Sequence, residues 1–353
     1  DAAAGSDGIV SIVFSREDPV GLVYLEDDFS AKTDGDTGGT FALGNSGTRC
    51  SVARNGSDVY ISYFDVADAS LKVAHSIPGG WDVQTIDNSE GAGFFNAIAI
   101  PAYNESPVVV FARSGGTKGL FFATCDGEMW NTETIVPQFA GFFCSIALDK
   151  GGVPFVAYQS LDAPGASSLH CIRYNGEGWL DELVDNQGDT GYYTSIVLDS
   201  AGYAHISYSD RVNLLYAKQT ATGWEKSILV QGGVDGSTDI TLISGKPAIA
   251  FIHSGKPGYI DATGTATDGG DGDGGGTVTP TSGGGGGCFI ATAAFGTMAS
   301  DAVGRLTNSR DETVTASESG IQLVNLYYAV SPAAAVALAK SESARKLMAL
   351  LLP

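Results

Sequence analysis

Basic residues are scarce in this sequence. Lys and Arg number 19 against 40 Asp and Glu over 353 residues, a formal net charge of -21, and charged residues of either sign make up only 17%. Such a chain repels phosphate backbones, which excludes nucleic acid as a partner. Cysteine is sparse too: Cys50, Cys125, Cys144, Cys171 and Cys288 form no CxxC pair, and the odd number leaves at least one thiol outside any internal disulfide. Four of them fall in predicted strands, where a small buried thiol is the expected role. The histidines, His75, His170, His205 and His253, are dispersed without HxH or HExxH spacing, which gives zinc no site. GxSxG, P-loop and dinucleotide fingerprints are missing, so no cofactor is implied by motif. Methionine is rare at 3 residues, whereas glycine reaches 48 and Tyr and Phe reach 14 and 16, a composition of short strands joined by tight turns.

The chain opens on Asp1-Ala-Ala-Ala-Gly rather than on methionine, as expected of an exported protein whose signal peptide has been removed. The expected location is therefore extracellular or at a bacterial cell surface.

A unit of about 40 to 50 residues recurs, the period range of propellers and solenoids. Six copies start with an apolar strand at Ser11 (SIVFS), Ser51 (SVARN), Ala97 (AIAIP), Ser145 (SIALD), Ser195 (SIVLD) and Asp239 (DITLI). A second strand then carries an aromatic residue: Tyr24, Tyr63, Phe111, Tyr158, Tyr208 and Phe251. All four tryptophans, Trp81, Trp130, Trp179 and Trp224, precede a last strand of a unit, at spacings of 49, 49 and 45. Four strands in about 45 residues make one propeller blade. The aromatics and tryptophans are expected to fill the core between stacked blades. The first copy lacks its Trp, so six blades are expected, with five as the alternative count. The sixth copy shows no fourth strand before the glycine-rich tract, and residues 1–7 look too short to supply one. A bare edge is therefore expected, to be covered by TVTPTS (277–282) or by a strand of another molecule.

The wording YTSIVLDSAGYAHISYSD and FCSIALDKGGVPFVAYQS resembles the sialidase-like propeller repeats of secreted bacterial proteins, over residues 8–262. The resemblance implies fold and carries no particular chemistry. The expected domains are a propeller over 1–262, a glycine-rich linker over 263–287 and a small α-helical C-terminal module over 288–353.

The linker holds 12 glycines in 25 positions and reads as a flexible tether. Its Asp268, Asp271 and Asp273 are the candidate metal ligands, with calcium the only ion they suggest. In the last segment, acids and bases balance at five each, and Ser331-Pro332 marks a helix start. GGGGGCFIATAAFGTMAS, followed by SRDETV and LVNLYYAVSP, resembles the CFI-box C-terminal domain of bacterial exported proteins, with Phe295 and Thr297 in place of the usual Tyr and Ser. The resemblance implies surface sorting or assembly, and it makes Cys288 the residue to test. The expected anchoring residues are Cys288, Phe289, Ile290, Phe295, Tyr327, Tyr328, Leu347 and Leu350.

No catalytic constellation emerges. The propeller arginines scatter among turns and strand ends, whereas a sialidase needs them clustered, and Asp239 alone is acidic among the first-strand starts, whereas a glycosidase needs two facing carboxylates. Acidic residues do gather on loops of one side: Glu26, Asp27, Asp28, Asp65, Asp68, Asp162 and Asp210 after second strands, and Asp87, Glu90, Asp185, Asp189 and Asp235 after fourth strands. That side is expected to be strongly negative, suited to cations or a basic partner.

The sequence thus points first to a structural protein: an exported propeller whose tethered tail joins copies of itself into a surface filament or array. The alternative is a surface-anchored propeller binding a glycan or protein, with Tyr192, Tyr193 and Asp210 as its contacts and the cell envelope as its support. A glycoside hydrolase ranks third.

Overall fold

The computed structural model describes residues 2–4, 10–17, 20–27, 40–44, 47–102, 106–127, 129–163, 166–260 and 266–268. They form six four-stranded sheets, each a meander in chain order, the blades of a mainly-β propeller. The first sheet contains β1 (Ala2–Ala4), β2 (Val10–Glu17), β3 (Val20–Asp27) and β4 (Thr40–Gly44). The second contains β5 (Gly47–Asn55), β6 (Asp58–Asp65), β7 (Ser70–Ile77) and β8 (Gly80–Asp87). The third contains β9 (Ala92–Ala99), β10 (Val108–Arg113), β11 (Gly119–Asp126) and β12 (Met129–Pro137). The fourth contains β13 (Ala140–Leu148), β14 (Pro154–Ala163), β15 (Ala166–Tyr174) and β16 (Trp179–Asp185). The fifth contains β17 (Tyr192–Leu198), β18 (Ala204–Ser209), β19 (Leu214–Thr220) and β20 (Gly223–Val230). The sixth contains β21 (Val234–Ile243), β22 (Lys246–His253), β23 (Lys256–Ile260) and β24 (Ala266–Asp268).

One expectation about the chain ends is corrected. Ala2–Ala4 forms a short strand, but it pairs antiparallel with β2 of the first sheet (Ala3↔Ser11) and supplies nothing to the sixth. The sixth sheet, expected to lack a fourth strand, has one, because Ala266–Asp268, inside the tract read as linker, pairs with β23 (Tyr259↔Thr267). Each pairing is only three residues long. A run of alanines or Ala-Thr-Asp has no alternating pattern to reveal it, so register comes from the neighbouring strand's unpaired backbone rather than from side chains.

Burial falls from the inner strands of each sheet outward. β18 is buried at every position and β10 at its four central ones, while β12 and β20 are mostly exposed. Continuous apolar runs such as VVVFAR belong to strands covered on both faces. The covering surface is the next sheet. Val13, Leu22 and Tyr24 pack on Val52, Val59, Ile61 and Tyr63; Leu71 and Val73 pack on Val109, Phe111 and Phe121; Val110 and Leu120 pack on Cys144, Val156 and Tyr158.

The described residues fall into two compact units, one of 1–160, 170–183 and 195–204, the other of 161–169, 184–194 and those from 205 onward. In each, a left-handed residue near the start of an inner strand is clipped to the next sheet. Arg49 and Tyr193 adopt left-handed φ values of 51° and 54°, uncommon for side chains of this size. In the first unit Ser62 Oγ donates to Asn96 Oδ1 (2.6 Å), and Asn96 Nδ2 donates to Arg49 O (2.7 Å) and Gly93 O (2.8 Å). In the second, Ser207 Oγ and Thr238 Oγ1 meet at 2.8 Å and Thr238 donates to Tyr193 O (2.8 Å). Gly93 follows from the same geometry: at φ +85° its missing Cβ would lie 2.5 Å from Leu71 Cβ.

Candidate functional site: an aromatic cleft between the third and fourth sheets

The six second-strand aromatics are all buried, from Phe111 and Tyr208 at 0% exposure to Tyr63 at 4%. The four tryptophans are only half-buried, at the starts of outer strands. An indole N–H in that position needs an acceptor. Trp130 Nε1 donates to Gln84 Oε1 (2.9 Å) and Trp179 Nε1 donates to Glu133 Oε1 (3.1 Å), each partner lying 46 residues earlier on the preceding sheet's outer strand. Trp81 instead meets Tyr24 edge-on at 5.1 Å. Trp130 and Trp179 therefore link neighbouring outer strands, and Trp81, Trp130 and Trp179 pack, half-buried, against the cores between sheets.

Trp179 uses that position to wall a cleft of about 410 Å³. On one side stand Phe122, Thr124 and Cys125 of β11, Glu133 of β12 and the Ser106–Val108 segment; on the other, the Gly151–Pro154 turn, Tyr174 and Trp179. Phe122 and Tyr174 both meet Trp179 edge-to-face, with centroids at 5.1 and 5.6 Å. Tyr174 is 37% exposed.

Both turns on the rim are fixed by short polar side chains. Asp149 Oδ1 accepts from the N–H groups of Gly151 and Val153, each at 2.8 Å. Asn175 Oδ1 accepts from Glu177 N (2.9 Å) and Gly178 N (2.8 Å), directly before Trp179. These are local side-chain-to-backbone turns of the kind Asp and Asn favour. They order the rim before any ligand arrives, which lowers the entropy lost on binding. Cys125 Sγ donates to Gly127 O (3.2 Å), and burial together with the Asp126 carboxylate pushes its thiol up from the ordinary value.

The acidic loops are consumed within the fold. Asp65 meets Lys72 Nζ at 2.6 Å, and Asp87 pairs with Arg113 and accepts from Ser89 N (2.7 Å). Asp185 accepts from Lys226 Nζ (2.5 Å) and Tyr208 OH (2.8 Å). Asp189 holds Arg211 (2.8 Å) and Tyr192 OH (3.0 Å). Asp210 accepts from the N–H groups of Val212 and Asn213 at 2.9 and 2.6 Å. The expected negative face is thereby weakened at Asp65, Asp87, Asp185 and Asp189, whose basic partners the sequence places 7 to 41 residues away. Glu26, Asp27, Asp28, Asp162 and Asp235 have side chains outside the described residues.

Tyr192, expected to contact a glycan, is instead tied to Asp189 beneath the Arg211 guanidinium, 5.0 Å from its ring centre; burial pushes its hydroxyl up to about 12. Tyr193 has left-handed backbone and its carbonyl accepts from Thr238, and Asp210 is a turn cap. The anchoring residues Cys288, Phe289, Ile290, Phe295, Tyr327, Tyr328, Leu347 and Leu350 lie outside the described residues, as do Asp271, Asp273 and the side chain of Asp268. Among the described residues, no group of three or more His, Cys, Asp or Glu is placed to hold a metal ion, and Cys50, Cys125, Cys144 and Cys171 are free thiols. No helix of the described residues is long and apolar enough to cross a membrane.

The blades and the inter-blade cleft place the chain in the class of β-propellers. No protein-family model and no curated protein matches it. Among solved structures it is similar to the SapL1 lectin in complex with alpha-methyl fucoside, at a TM-score of 0.55 and 11% identity, covering 79% of this chain and 95% of that one. It is also similar to the fucose-specific lectin from Aleuria aurantia, at a TM-score of 0.50 and 13% identity, covering 80% of this chain and 96% of that one. At such identities the likeness establishes the fold.

Proposed function

We propose that this protein is a carbohydrate-binding propeller whose sugar lies in the cleft walled by Trp179, Tyr174 and Phe122. The observation that carries the reading is the cleft itself: aromatic rings next to a carboxylate and a hydroxyl, on turns already ordered. A pyranose offers an apolar C–H face to an aromatic ring and hydroxyls to groups such as Glu133 and Thr124, the few polar contacts that orient a ligand in an apolar pocket. The two propellers named above that bind fucose, or were solved with a fucoside, support it. Binding rather than hydrolysis is proposed because Glu133 is the one carboxylate among the described lining residues, whereas glycosidases use a facing pair. Assembly into filaments loses one of its three grounds, since the sheet edge expected to be bare carries β24.

A glycan array probed with the full chain, followed by calorimetry on the best hit, tests the proposal. Tyr174→Ala and Trp179→Leu are each expected to weaken binding about tenfold, equivalent to ~1.4 kcal/mol of lost contact, with circular dichroism unchanged. Absence of any bound glycan, or wild-type affinity in both folded variants, would refute it.

A further inference from the structure

We infer that the cleft prefers sugars bearing a free amino group, such as short glucosamine oligomers, over their acetylated or acidic counterparts. The inference rests on the carbohydrate reading above and adds the charge of the ligand. Among the described residues lining the cleft there is no Lys, Arg or His, and there is one carboxylate, Glu133. The two bases next in sequence to lining residues are not themselves part of the lining: Lys150 Nζ donates to Ser200 O (3.2 Å), and Arg173 Nε lies 3.9 Å from Glu182 Oε1. A uronate or sialate placed here would meet Glu133 with no counter-charge, in a chain already at -21.

An ammonium group meets the opposite situation. Phe122, Tyr174 and Trp179 group three rings around one end of the cleft, with centroids 5.1 and 5.6 Å from the indole. Cations are attracted to the faces of such rings, Trp most strongly. Glu133 receives one hydrogen bond from the indole, and a carboxylate has about four lone-pair sites, so it retains capacity for a charge-assisted bond to the ligand. An N-acetyl group removes the charge and offers only a neutral amide.

Calorimetry on the full chain with short oligomers of glucosamine, N-acetylglucosamine and glucuronate, below the pH at which the amine loses its proton, gives the test. The amino oligomer is expected to bind about tenfold more tightly than the acetylated one, the worth of one hydrogen bond to a charged group. Glu133→Gln keeps an acceptor for Trp179, so it preserves the fold, and it is expected to erase that tenfold margin, the amino and acetylated oligomers then binding equally. Equal or tighter binding of an acetylated or acidic oligomer, lost in Trp179→Leu, would overturn the amine preference and leave the carbohydrate reading standing. An amine preference that persists in Glu133→Gln would assign it to the protein's general negative charge and overturn the site assignment. Binding of no saccharide would overturn both readings together.

Discussion

Replacing Arg113 with Met is expected to destabilise the protein by about 3 to 5 kcal/mol, the usual loss when one partner of a buried ion pair is removed. Asp87 closes β8 with its side chain 4% exposed, and Arg113 closes β10 of the next sheet at 15%. Arg113 Nε donates to Asp87 Oδ2 at 2.8 Å, and the guanidinium lies 3.9 Å from the Phe121 ring centre. The Met side chain replaces the packing over Phe121 but leaves the Asp87 carboxylate buried without its cation. The double variant Asp87→Asn with Arg113→Met therefore recovers part of the loss, because no charge then remains inside. Urea unfolding of the two variants checks this: a single variant within 1 kcal/mol of wild type, or a double variant no better than the single, would show that the pair does not hold these sheets together.

Asn96→Ala is the second large effect, about 3 kcal/mol, from three hydrogen bonds at ~1 kcal/mol each. The amide accepts from Ser62, which is fully buried, and donates to the carbonyls of Arg49 and Gly93, both residues at positive φ. Asn96→Asp is the sharper test. It preserves shape and the Ser62 acceptor but turns a carboxylate toward two carbonyl oxygens, so it should be at least as damaging as Ala. If Asn96→Asp is as stable as wild type, the clip is not what holds the bulge.

The repeat made much of this legible. A strand start, an aromatic 12 to 14 residues later and a Trp near the last strand locate most blades, because each residue type does one job at one radius of the stack. Partner relationships were hidden by distance in sequence. Asp87 looks like any surface acid until β10 brings Arg113 beside it 26 residues on, and Arg49, Phe143 and Tyr193 give no compositional sign of left-handed backbone. The cleft was half visible. Trp81, Trp130 and Trp179 are each followed three residues later by Gln84, Glu133 or Glu182, and an indole donor near such a recurring acceptor is a signal that the outer strands are linked. What spacing alone does not reveal is that the turns after β13 and β15 stand back from β11 far enough to leave a cleft of about 410 Å³.

Cys125 offers the most direct measurement, since it is the one cysteine among the described residues that line the cleft. Alkylation at alkaline pH, mapped peptide by peptide with and without saturating glycan, compares it with Cys50, which lies in β5 away from the site. Bound sugar should suppress modification of Cys125 and leave Cys50 unchanged. Undiminished alkylation of Cys125 while the glycan is demonstrably bound would contradict the placement of the ligand between the third and fourth sheets.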